Sequence, residues 1–162
     1  MNLNTRLLYQ RLGLTPSATL MLITHYELIK GGNPPTDRTC RMLVKGEITP
    51  KNGFNHFLTL LDLHIDIYIS EIFSSHASDK MTLLTFRDSD DLWVSHPSMF
   101  GCPIEFYNSM INRFVVVARL RGISVDVICH QEDEIVESDW NTTYNLSLPI
   151  DSIISEALTD IR

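Results

Sequence analysis

Apolar positions recur at helical spacing through the first sixty residues and change period afterwards. Around residues 4–13, Leu7, Leu8, Leu12 and Leu14 fall at mixed three-to-four spacing, which predicts a first helix. Thr15-Pro16-Ser17 opens a second, about 16–30: Thr15 suits the N-cap and Pro16 the first helical position. Leu20, Ile23, Leu28 and Ile29 contribute its expected buried stripe. Gly31-Gly32 stops it, and Asn33-Pro34-Pro35 forbids continuation. Thr36 then caps a third helix, about 37–45, with Asp37 and Lys45 placed to suit the helix dipole and Gly46 ending it. A fourth helix is expected near 52–63, with Phe54, Phe57, Leu58, Leu61 and Leu63 as its core face.

Beyond Leu63 the pattern alternates. Ile65, Ile67 and Ile69 interleave with Asp66, Tyr68 and Ser70, which reads as a strand. Two short apolar runs, 81–86 and 92–95, flank Arg87-Asp88-Ser89-Asp90-Asp91, expected to be a hairpin turn. Residues 103–121 read as the longest helix, 123–129 as a strand, 144–148 as a further strand, and 149–161 as a final helix capped near Asp151. The expected fold class is α+β. A four-helix region, 1–64, precedes a small α/β domain, 65–162, with one mostly antiparallel sheet and two helices, and 74–79 resembles a linker.

Composition sharpens this only in places. At 44 % hydrophobic and 20 % charged, the 162 residues hold ample material for a core, which excludes a disordered chain. No apolar run approaches the roughly 18 residues of a membrane span. Three cysteines, Cys40, Cys102 and Cys129, without a CxxC pair imply free thiols and a reducing, cytoplasmic setting. The net charge of −7 is unevenly distributed. Residues 1–70 carry seven basic against five acidic side chains, +2; the remaining six basic and fifteen acidic give −9. A mildly basic helical region on an acidic protein is compatible with a phosphate backbone in a way that a uniformly acidic chain is not.

The candidate chemistry lies in the third helix. Arg38, Arg41 and Lys45, spaced by three and four, share one face; Cys40, Leu43 and Val44 lie toward the other. Such a basic face can contact guanine edges or phosphates, with Thr36, Thr39 and Lys51 supporting on phosphates, although a solvated surface helix shows the same pattern. The run Thr39-Cys40-Arg41-Met42-Leu43-Val44-Lys45-Gly46-Glu47-Ile48-Thr49-Pro50, followed by Phe54, Phe57-Leu58 and Leu60-Leu61-Asp62-Leu63, resembles the lambda-repressor-like helix-turn-helix family. The resemblance covers about 25 residues of a domain of about 65 and implies that the third helix is the reader. The second helix is longer, and Gly31–Pro35 bulkier, than that family's usual pattern.

Other constellations are weaker. None of the six histidines has HExxH spacing, and Cys129-His130 with Glu132, Asp133, Glu134, His96 and Cys102 shows no standard ligand spacing, so no metal is expected. Cys102 before Pro103 at a helix start is expected to pack, the alternative being a thiol sensitised by the helix N-terminus. No Walker loop, GxGxxG or GxSxG occurs, so neither an enzyme nor a cofactor is expected. Asp88, Asp90 and Asp91 and residues 132–134 read as solvated loops, or as the carboxylate clusters by which a phage- or plasmid-type inhibitor occupies a partner's nucleic-acid site. The sequence therefore points to a transcriptional regulator of bacterial or mobile-element origin. It would bind double-stranded DNA as a homodimer, because one reader helix buries too little surface for useful specificity. The alternative is an inhibitor or adaptor that binds a protein partner through its acidic or helical surface.

Overall fold

The structure is a computed structural model that describes residues 3–130 and 137–160. The chain runs α1 (Leu3–Arg11), α2 (Pro16–Lys30), α3 (Asp37–Lys45), α4 (Asn52–Ser75), β1 (Lys80–Thr85), α5 (Ser89–Ser95), a 3₁₀ turn (Pro97–Met99), α6 (Ile104–Leu120), β2 (Ser124–Cys129), a second 3₁₀ turn (Glu137–Thr142), β3 (Thr143–Tyr144) and α7 (Ile150–Asp160).

The helices α2 and α3 have the bounds that their caps dictate. Thr15 accepts from the Ala18 N–H at 3.2 Å, and Gly31, at φ 85°, closes α2. The buried stripes differ in part from expectation. In α2 the fully buried residues are Leu22 and Tyr26, with Ala18 and Ile23 beside them, whereas Leu28 and Ile29 are exposed. Stacking of Tyr26 on Phe57, ring centroids 5.6 Å apart, and its edge contact with Phe54 at 5.4 Å fix that register. In α1 the buried anchors are Tyr9 and Leu12, while Leu7 faces out.

The expected strand at 65–70 is instead the middle of α4, a single helix of 24 residues. Ile65, Ile69 and Phe73 are buried at i, i+4 and i+8 in line with Phe57, Leu58 and Leu61, while Ile67 and Leu63 face solvent. Six alternating residues fit both periods; the apolar stripe continued over twenty residues fits only the helix. The division expected after residue 64 falls inside α4, and one hydrophobic core joins buried residues from Tyr9 to Ala157.

The hairpin expected around 87–91 is the N-terminus of α5. Asp88 caps it, accepting from the Asp91 N–H at 2.9 Å, and Asp90 and Asp91 occupy its first turn. Acidic residues suit that position because backbone N–H groups and the helix dipole meet negative charge there. With that hairpin lost, the mostly antiparallel sheet is also lost. The three strands form one sheet of order β2-β1-β3, and both pairings are parallel. β1 and β2 pair in full, from Lys80 opposite Ser124 to Thr85 opposite Cys129. Their connection contains α6, and a helical crossover of this length returns the chain parallel. Four consecutive β1 residues, Met81–Leu84, are buried, as expected of a strand covered on both faces. Of the helices, α6 makes the principal contact with this sheet, against both β1 and β2.

The segment from β3 onward straps the molecule together. Ile150, Ile153, Ile154 and Ala157 seat α7 chiefly against α4. Five histidines bond to this strap: His76 to Tyr144 (2.7 Å), His96 to Asn145 (2.6 Å), His25 to Asp151 (2.8 Å), His64 to Glu156 (3.1 Å) and His56 to Asp160 (3.0 Å). On another side Arg113 of α6 bridges Asp62 and Asp66 of α4, and Arg11 of α1 also reaches Asp62. Among the described residues no helix is long and apolar enough to cross a membrane.

Candidate nucleic-acid interface

The α2–α3 pair is built by its ends. Gly31 and Gly32 both donate to the Glu27 carbonyl, at 2.7 and 2.9 Å, and turn the chain out of α2. Thr36 starts α3: its hydroxyl accepts from the Thr39 N–H at 3.3 Å and lies 3.1 Å from the Thr39 hydroxyl. Gly46, at φ 74°, ends it, with Gly46 N–H on Leu43 O and Glu47 N–H on Met42 O. Any residue with a Cβ at Gly46 would be strained, so this stop is specific.

The helix so defined has two faces. Cys40 and Leu43 are buried and Val44 packs against the core from a half-buried position. Arg38, Arg41 and Lys45 are exposed along the opposite side. Among the described residues none of these three, nor exposed Lys51, forms an ion pair with the protein, whereas Arg11, Arg87 and Arg113 all do. Four unneutralised cations thus lie in and just after α3 of a chain whose net charge is −7.

The proposed supporting residues are placed unequally. Thr36 is committed to capping α3. Thr39 is half-buried and, with Lys51, borders a cleft between α2 and α3. Lys45 flanks the stripe on its other side, where a groove of about 580 Å³ also takes in Arg6, Gln10, Val44 and Glu47. Arg6 and Gln10 were not expected here. Their i, i+4 spacing on α1 was legible, but the packing of α1 beside α3 was not.

Cys102 is fully buried and its thiol is pushed well above its ordinary value by burial, with Glu105 adding to it, so it is a poor nucleophile. Among the described residues no group of three or more His, Cys, Asp or Glu side chains is placed to hold a metal ion. Asp88 and Asp91 are engaged in capping α5 and pairing with Arg87. The acidic run 132–134 lies outside the described residues. Trp93 donates to Cys102 O at 2.8 Å and packs on Phe100, while Trp140 is exposed.

Compared with protein-family models, curated proteins and solved structures, the chain matches none.

Proposed function

We propose that this chain is a sequence-specific DNA-binding regulator of transcription, with α3 as the reader and a homodimer as the binding form. The observation that carries the reading is the row of exposed cations, Arg38, Arg41, Lys45 and Lys51, left without acidic partners on an otherwise acidic protein. A phosphate backbone supplies counter-charges to such a row. Guanidinium groups at 38 and 41 add bidentate reach to guanine edges. Half-sites one helical turn apart on a palindromic operator follow from two-fold symmetry.

The test is retention of pooled genomic DNA fragments by the purified protein at 50 and 200 mM salt, beside an Arg38→Ala/Arg41→Ala/Lys45→Ala variant. With Lys45 and Lys51 of each protomer on phosphates, a dimer makes four such contacts, which predict an affinity loss of about 10²-fold across that range. Arg41→Ala alone should weaken specific binding by roughly 1–3 kcal/mol. Enrichment of a palindrome that the triple variant fails to retain supports the reading. No retention at low salt, or retention unchanged in the triple variant, overturns it.

A further inference from the structure

Between α2, the Asn33–Pro35 segment and α3 lies a cleft of about 270 Å³. Ile23, Pro35, Leu43, Ile48 and Phe54 give it apolar walls, and Thr39 and Lys51 also line it. One wall residue does not fit that lining. Glu27, on the α2 side, is only 3 % exposed. Among the described residues its carboxylate has no ion-pair partner and no hydrogen-bond donor.

The surrounding backbone holds this carboxylate in place. Gly32 folds back over it so closely that a Cβ at that position would stand 1.8 Å from Glu27 Oε2 and 3.1 Å from the carboxyl carbon. The carboxylate oxygens are not among the fully enclosed polar atoms that lack a partner, so the little exposure that Glu27 keeps reaches the carboxylate, and a cation that enters the cleft can pair with it. Gly32 lies against one side of the carboxylate, and Glu27 lines the cleft, from which a partner can reach the charge.

We infer that this cleft is a binding site for a small organic amine, whose ammonium group pairs with Glu27 while its apolar body fills the space against Ile23, Leu43 and Phe54. The volume falls just below the roughly 300–1,000 Å³ of drug-sized ligand pockets and suits a compact single-ring or short-chain molecule. An apolar pocket with one fixed polar group takes its specificity from that group. The site stands on its own walls and does not rest on the DNA-binding reading.

The experiment is calorimetric titration of the full chain, without DNA, with 2-phenylethylamine at neutral pH. Two controls have the same ring and similar length: 2-phenylethanol, which is neutral, and phenylacetate, which is anionic. Saturable binding of one amine per chain is expected, at least tenfold tighter than the alcohol and with no binding of the acid. Glu27→Gln keeps the size and removes the charge, and should lower amine affinity at least tenfold while leaving that of the alcohol within about twofold. Thr39→Phe, which fills the cleft from its half-buried border, should abolish binding of both and serves if Glu27→Gln does not fold. Absence of saturable amine binding, equal affinity for amine and alcohol, or amine binding that survives both substitutions would overturn the inference.

Discussion

Tyr107→Phe isolates one hydroxyl that ties three parts of the molecule together. Tyr107 lies on α6 with no exposed surface, and its hydroxyl donates toward Leu146 O at 2.9 Å and Leu84 O at 3.2 Å. It therefore links α6 to β1 and to the strap that leads into α7. The substitution keeps the ring, including its edge contact with Phe86 at 5.5 Å, so no cavity term enters. What is lost is a buried hydrogen bond whose acceptors stay buried, a cost of about 1–3 kcal/mol. For a chain of this size, about 2 kcal/mol lowers Tm by roughly 4–8 °C. Burial raises the Tyr107 phenol well above its ordinary value, with smaller contributions from Tyr68 and Cys102. A raised acid keeps its proton in the folded state. Its contribution to stability is thus complete below the ordinary phenol value of about 10 and is lost as pH climbs beyond it. Each such group steepens that alkaline loss by at most about 1.4 kcal/mol per pH unit. Tyr107→Phe should therefore be less stable than wild type at pH 7 but lose stability less steeply above pH 10, with Tyr9, raised by the same cause, sustaining the remaining slope. Urea unfolding followed by circular dichroism at pH 7 and from pH 9 to 11 measures both. A difference under about 0.5 kcal/mol at pH 7, or an unchanged alkaline slope, would refute the assignment of the hydroxyl as a buried tie.

Three further outcomes are expected. In the native protein a disulfide-exchange reagent should react at one thiol, half-buried Cys129, and reach Cys40 and Cys102 only on unfolding; rapid modification of more than one contradicts the packing. Asp88→Ala should cost about 1 kcal/mol by removing the α5 cap, measured by thermal melting, whereas Asp88→Asn should keep most of it. His25→Ala should cost about 2–4 kcal/mol, because the ring is buried against Gly101 and Phe100 as well as bonded to Asp151. His56→Ala and His64→Ala break more exposed pairs and should each cost under about 1 kcal/mol, so equal losses at all three would refute this ranking.

Where residue type alone fixes backbone geometry, the chain could be read. Thr15-Pro16, Gly31, Thr36 and Gly46 set the ends of α2 and α3, and those ends stand where the caps put them. Tertiary packing decided the rest. Ile65, Ile67 and Ile69 alternate with polar residues, and nothing within that window says that Ile65 and Ile69 turn to the core while Ile67 turns to solvent. The acids of 88–91 are as common in turns as at helix starts, and only the Asp88 cap distinguishes the two. Parallel pairing was legible in principle, because a helix as long as α6 between two strands implies a crossover. Reading 81–95 as a hairpin with its turn at 87–91 concealed it.

The candidate sites divide along the same line. Arg38, Arg41 and Lys45 were found from spacing because a helical face is a local property, fixed once α3 is bounded by Thr36 and Gly46. Glu27 could not be found that way. A glutamate four residues before a glycine stop ordinarily points to water, and its burial here follows from how Gly32 folds back and how α3 and Phe54 close around the end of α2. The two features consequently sit on different sides of one small unit. The cations lie on the face of α3 turned away from the core, and the carboxylate lies in the cleft between α2 and α3. Charge that spacing can predict is charge that solvent already satisfies. The carboxylate that lines the cleft, which only the assembled helices reveal, is the more specific pointer to a ligand.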